Sequence, residues 1–391
     1  MNNNSLGPLS IFALGFRVFF LGAGLAGLAL MFVWGRMYSG HVSVANYYGF
    51  VAWHAHEMIF GYTVAVIAGF LLTAVRNWTG IETAKGGRLA GLALVWLYAR
   101  IIPFYGEILP GWLIAAVDLA FLPWLAVEIT GAIVRGKHLK SLLIVGLLLV
   151  MTFGNLLTHL EILGVIDTGF VLGTKLAVAA VMLLILVIAG RVLPFFTERG
   201  LPGSVPRRRL LLDKFSIGAA AAFFVADAFE AAPAVAAALA LAAAALNGYR
   251  LMGWYDRAIW RVPLLWVLFL GYGWIVVGFV LSALAAYGEI PPYLPLHAFT
   301  VGGIGVLTLG MMARVSLGHT GRPLLCSNAI SAAFVLINLA AFARVIYPTL
   351  LPAGYSLAVS VSAGLWLIAF GLFVFVYAPI LTTPRVDGRP G

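Results

Sequence analysis

The sequence predicts an all-α polytopic membrane protein of twelve transmembrane helices, and three observations predict it. Of 391 residues, 63% are hydrophobic and only 10% are charged, with a mean hydropathy of +1.04. A soluble globular domain carries about 25% charged and 45–50% apolar residues. Apolar stretches of about 20 residues, the length that crosses a bilayer, recur along the whole chain. Basic residues then collect in alternate loops, as they do on the cytoplasmic side of a membrane. Together these exclude a soluble fold, a disordered chain and a nucleic-acid binder, although the formal net charge is +10. The single cysteine, Cys326, permits no internal disulfide, and the lack of a C-x-x-C-H run excludes covalently attached c-type haem.

The predicted spans are residues 11–34, 50–74, 88–105, 112–133, 140–163, 170–193, 215–232, 233–249, 262–286, 296–317, 327–347 and 355–380. The seventh and eighth share an Ala-rich run broken only by Asp227, Glu230 and Pro233. Pro233 reads as a turn, because proline cannot continue the preceding helix. Were it only a kink, the spans would number eleven. The basic residues favour twelve, with both termini inside. All but four of the 24 Lys and Arg then fall on the inner side, the exceptions being Arg36, Arg100, Lys175 and Arg344. Eleven spans would put Arg250, Arg257 and Arg261 outside. The run Arg207-Arg208-Arg209 reads as a topology signal or a contact for anionic lipid. Met1 to Gly7 carry no basic residue, which favours an uncleaved first helix over a signal peptide. The longest polar segment is the inner loop at about 194–214. The whole chain, 1–391, is expected to form one transmembrane domain with no soluble domain.

Two helices resemble each other. The second contains HEMIFGYTVAVIAGFLLTAVRNWTG from His56, and the tenth HAFTVGGIGVLTLGMMARVSLGHTG from His297. Both place a glycine 13 residues after the histidine (Gly69, Gly310) and close on Thr-Gly (Thr79-Gly80, Thr320-Gly321). The sixth ends similarly but has no histidine. One explanation is chance likeness among Gly-rich apolar helices. The other is three four-helix units around a pseudo-threefold axis, an arrangement similar to the catalytic subunit of haem–copper oxidases.

Seven histidines occur. An ionisable side chain in a membrane span is costly, so its default reading is functional. His41 and His138 fall in predicted loops. His54, His56, His159 and His297 come from three distant helices yet share one depth near the outer face. His319 lies 22 residues beyond His297, about 33 Å along a helix, and so falls at the inner face. Imidazole ligates haem iron, copper and zinc. His54 and His56 are about 200° apart around a helix and cannot both chelate one ion. Glu57 shares a face with His54, and Asn155 with His159, where each can orient an imidazole. The bland alternative is histidines hydrogen-bonded between helices. Arg100 and Lys175, at outer ends of spans, are candidate partners for haem propionates, or simply snorkel to the lipid surface.

At WHAHEMIFGYTVAVIAGFLLTAVRNWTG (53–80) the chain resembles the NnrS family of bacterial inner-membrane proteins, which contain haem and copper and are linked to nitric oxide. The likeness continues through GNLLTHL (154–160), RVLPFFTERG (191–200) and LHAFTVGGIGVLTLGMMARVSLGHTGRPL (296–324), and so covers nearly the whole chain. It implies His54, His56, Glu57, His159, His297, His319 and the Arg76-Asn77-Trp78 segment as the functional set, with non-covalent haem b and copper as cofactors. It does not say whether nitric oxide is bound, sensed or reduced.

The expected function is a haem–copper protein of nitrosative-stress defence, taking nitric oxide or another small diatomic at a histidine-ligated centre near the periplasmic face. His54, His56, His159, His297 and His319 are its candidate metal ligands. Glu57 is its candidate proton donor, or a hydrogen-bond partner of His54. A second haem site is expected at His319, where Arg76, Arg191, Arg314 and Arg322 would suit propionates or another anion. Its alternative is a turn in which His319 caps a helix carbonyl. The runner-up functions are a secondary transporter, favoured by twelve spans and interrupted helices, and an assembly factor that moves haem or copper to respiratory enzymes.

Overall fold

A computed structural model describes residues 8–389, and among them every regular element is helical. Twelve long helices form. In chain order they are α1 (Gly15–Tyr38), α2 (Phe50–Thr79), α3 (Gly87–Tyr105), α4 (Gly111–Arg135), α5 (Leu142–Ile162), α6 (Phe170–Gly200), α7 (Leu210–Ala228), α8 (Pro233–Trp254), α9 (Pro263–Ala286), α10 (Tyr293–His319), α11 (Asn328–Leu350) and α12 (Tyr355–Thr382). Eleven are long and apolar enough to cross a membrane. The other, α7, is 19 residues long and carries Asp213, Lys214 and Asp227. The chain is therefore an all-α, multi-pass membrane protein. Residues 1–7, on which the uncleaved first helix was argued, lie outside the described residues.

Pro233 opens α8, where its fixed φ suits a first turn and its missing N–H costs nothing. Pro194 does not end the sixth helix as its sequence position suggests. α6 runs through it to Gly200, with the Thr197 hydroxyl donating to the Leu193 carbonyl at 2.9 Å just past the gap the proline leaves.

Three arginines assigned to the inner side are internal. Arg250 lies within α8 and is 2% exposed. Its Nε donates to Asp213 Oδ1 at 2.6 Å, and its Nη1 to the Leu186 carbonyl at 3.0 Å and the Tyr272 hydroxyl at 3.1 Å. Arg17 is fully buried and donates to the carbonyls of Leu381 and Thr383 at 3.1 and 2.7 Å. Arg314 is 4% exposed. A buried guanidinium is stable only with such partners, and these come from segments far away in sequence.

The chain gathers into two compact units. The first comprises the residues up to Ala180 with Arg314–Leu324 and the chain from Phe373; the second comprises Val181–Ala313 and Leu325–Leu372.

The likeness of the second and tenth helices extends to backbone geometry. In α2 a π-helical stretch, Glu57–Thr63, begins directly after His56. In α10 the π stretch Ala298–Gly305 begins directly after His297. Both helices close on a left-handed glycine, Gly80 at φ 70° and Gly321 at φ 75°, a conformation that favours glycine. Before each glycine a threonine hydroxyl bonds the carbonyl four residues back at 2.7 Å, Thr79 to Val75 and Thr320 to Ser316. α6 is α-helical throughout, so it does not share this pattern. Wide π turns recur at functional sites, and here each follows a histidine.

Candidate metal centre

In the first unit, α2 to α5 bring ionisable side chains together in a dry interior. His56, Glu57, Asp118, Asn155, Thr158 and His159 are each no more than 3% exposed. One ligand atom each from His56, Asp118 and His159 can be chosen so that all three lie within 4.8 Å of one another. Asp118 Oδ2 is the hub. It faces His56 Nε2 at 3.2 Å and His159 Nε2 at 3.1 Å, and accepts from Asn155 Nδ2 at 2.6 Å. Asn155 Oδ1 faces His56 Nε2 at 2.9 Å, and Glu57 Oε1 faces His56 Nδ1 at 3.2 Å. Every one of these side chains is therefore held by at least one other, which fixes the orientation of both imidazoles.

Arg100 from α3 closes the site. Its Nη1 donates to Glu57 Oε1 at 2.7 Å and its Nη2 to Asp118 Oδ1. Two carboxylates thus stand against one guanidinium. Burying an unbalanced charge is expensive, so the surplus negative charge calls for a proton or a metal cation. Glu57 Oε2 is buried without a hydrogen-bond partner, as is the Tyr48 hydroxyl. The Tyr48 ring stacks on His56 with centroids 4.1 Å apart.

α5 and α6 meet at two glycines. A Cβ at Gly154 would lie 2.5 Å from the Gly173 carbonyl oxygen. No side chain separates the backbones there, one residue before Asn155.

A cavity lies next to one residue of the site. It measures about 810 Å³ and is lined by Asn46, Tyr47, Phe50, Phe104 and Glu107, among others. Tyr47 lines it and also places its hydroxyl 3.3 Å from His159 Nδ1.

The residues singled out in the sequence fall in several places. His56 and His159 meet, with ring centroids 5.6 Å apart. His54 points to another face of α2 and stacks on Trp34 at 4.0 Å, outside the cluster. Glu57 engages Arg100 and His56. Arg100 is held inside by two carboxylates and neither snorkels nor stands free for a propionate. Lys175 is half-buried in α6. His297 lies in the second unit, where its Nδ1 sits 2.6 Å from the Tyr293 carbonyl. His319, the last residue of α10, packs its ring 5.6 Å from that of Phe16, and its carbonyl accepts from Arg385 Nη1 at 2.8 Å. Arg76 lies within electrostatic range of His319 and pairs with Glu82 at 2.8 Å. His41 and His138 are loop residues bonded to Ser39 and Ser141.

Asp118, Tyr47 and Tyr48 were missed from sequence. Asp118 carried a usable signal, since it is an acidic residue in the middle of a predicted span, where charge is costly. The tyrosines carried none, because they sit in a loop.

The fold and this cluster define a multi-pass membrane protein with a buried histidine–carboxylate centre. The family model for the NnrS protein matches residues 10–385, nearly the whole chain. The chain belongs to the NnrS family and is a membrane protein linked to nitric oxide. A search of curated proteins finds no match.

Proposed function

We propose that this chain is a haem- and copper-binding protein of nitric oxide defence in a bacterial inner membrane, with copper held by His56, Asp118 and His159. The observation that carries this reading is the buried trio of ligand atoms within 4.8 Å. Two imidazoles and a carboxylate suit copper, which takes nitrogen and oxygen donors. One surplus carboxylate charge suits a cation despite the neighbouring Arg100. Bound copper would supply a site where a diatomic can bind and exchange an electron.

The protein's own groups do the rest. Asn155 orients His56 and Asp118. Arg100 holds Glu57 and Asp118 in place and offsets one of their charges. Tyr47 stands between the cavity and His159. Glu57 Oε1 stands beside His56 Nδ1, the position for handing over or holding a proton.

Haem is proposed at His297. Its Nδ1 faces a backbone carbonyl, so Nε2 becomes the nitrogen with a lone pair to offer. His297→Ala is expected to retain less than half the haem per chain that His138→Ala retains, as measured by pyridine haemochromogen. Equal haem in the two would remove His297 as a ligand. A Soret band that shifts with nitric oxide supports the wider reading; a colourless purified protein argues against it.

A second haem at His319 is the finer part of this proposal. Arg385 and Arg76 near it would have to leave Asp387 and Glu82 to meet propionates. His319→Ala is expected to lose about one haem per chain and keep its copper. Unchanged haem and copper would leave His319 as the residue that closes α10.

Both termini are proposed to be cytoplasmic, on the distribution of Lys and Arg. Reporter fusions at Gly391 and in the 201–209 loop should both read inside. An outside signal from either would discard this topology.

A further inference from the structure

The second unit buries one positive charge that nothing in it balances. Arg344, on α11, is 9% exposed. Its guanidinium lies between two tyrosine rings, 5.8 Å from the centroid of Tyr293 and 5.1 Å from that of Tyr355. The two rings are 5.1 Å apart and tilted by 59°, so they form a notch with Arg344 in it. Nη2 donates to the Tyr355 hydroxyl at 3.0 Å. Nη1 is buried and has no hydrogen-bond partner, and among the described residues Arg344 forms no ion pair. Ring faces attract a cation but accept none of its N–H groups in the plane of the fork. Arg100 and Arg250, by contrast, each meet a carboxylate.

We propose that Arg344, Tyr355 and Tyr293 form a binding site for the carboxylate group of an apolar ligand. A guanidinium presents a planar pair of N–H donors that matches a carboxylate. The Tyr355 hydroxyl accepts from Arg344 and so keeps its own hydrogen to donate to the same anion. One guanidinium balances a single negative charge, which favours a carboxylate over a doubly charged phosphate. The aromatic walls, and the apolar cluster of Leu281, Ala298 and Val345 beside them, suit a hydrophobic body.

Two sources carry this chemistry. One is a free long-chain carboxylate from the bilayer. The other is a carboxylate of the haem proposed at His297, one helical turn beyond Tyr293. The site does not depend on the haem reading, because the first source needs no haem.

The test uses the full chain in a non-ionic detergent, prepared haem-replete and haem-depleted. Octanoate is the probe and octanol its neutral control. Octanoate, not octanol, is expected to raise the thermal midpoint of the haem-depleted wild type by several degrees. Arg344→Gln should abolish that rise, and Tyr355→Phe should shift its concentration dependence about tenfold. A response confined to haem-depleted protein, with less haem retained by Arg344→Gln, assigns the carboxylate to haem. An equal response in both preparations assigns it to the bilayer. The proposal is overturned if the depleted wild type does not respond to octanoate and Arg344→Gln keeps wild-type haem. If Arg344→Gln does not fold, Tyr355→Phe decides, and a wild-type octanoate curve from it overturns the site.

Discussion

Arg100→Leu is expected to be the most damaging single change in the first unit. The arginine pairs with both Glu57 and Asp118, and its side chain is only 10% exposed. Leucine would fill part of the space and leave two carboxylates facing each other in a dry interior. Removing one partner of a buried pair costs about 3–5 kcal/mol, a large share of the total stability of most proteins. The loss should appear as a lower unfolding midpoint in detergent and a sharply lower yield from the membrane. Arg76→Ala is the control. Its pair with Glu82 is exposed, with side chains 31% and 48% accessible, and such pairs contribute about 0–1 kcal/mol. Equal effects of the two changes would mean that the Arg100 network does not hold the unit together.

The second large effect concerns copper. His159→Ala and Asp118→Asn should each remove most of the copper counted per chain by elemental analysis. Asp118→Asn is the sharper variant, because it keeps the shape and removes the charge. Asn155→Leu removes an orienting group rather than a ligand, so it should weaken copper binding about 10- to 100-fold. His54→Ala should keep its copper, because His54 packs on Trp34 outside the cluster. Copper lost from His54→Ala and retained by His159→Ala would overturn the assignment of the centre.

Much of this architecture is legible in the sequence, for a physical reason. A lipid-facing helix must be apolar over its whole length, so spans announce themselves by composition. Pro233 marks the break between α7 and α8 because proline both ends and begins helices. His56 and His159 stand out because an imidazole in a span is rare and costly.

What stayed hidden depends on contacts between distant segments. Arg250 looks like a loop residue until Asp213, Tyr272 and the Leu186 carbonyl are seen around it. Arg100 sits at a span end and reads as snorkelling, since nothing local shows the carboxylates of α2 and α4. The π stretches after His56 and His297 are equally silent, because neither segment contains a proline or a charge pattern that separates π from α. Asp118 is a different case. The rule that marked the histidines applies to it equally, and applying it would have found the hub of the cluster.

The Arg100 network has a consequence for how the protein enters its membrane. A charged residue within a membrane span costs a solitary helix free energy, up to about 2.5–3.5 kcal/mol at the bilayer centre on the insertion scale. Glu57, Arg100 and Asp118 lie on three successive helices, α2, α3 and α4. Each of these segments, delivered to lipid by itself, would carry an unneutralised charge. With the three delivered together, Arg100 offsets one of the two carboxylate charges. Insertion of α2, α3 and α4 is therefore expected to cost least when the three helices enter the bilayer together. A substitution at Arg100 would then be felt first during synthesis, before any cofactor is bound.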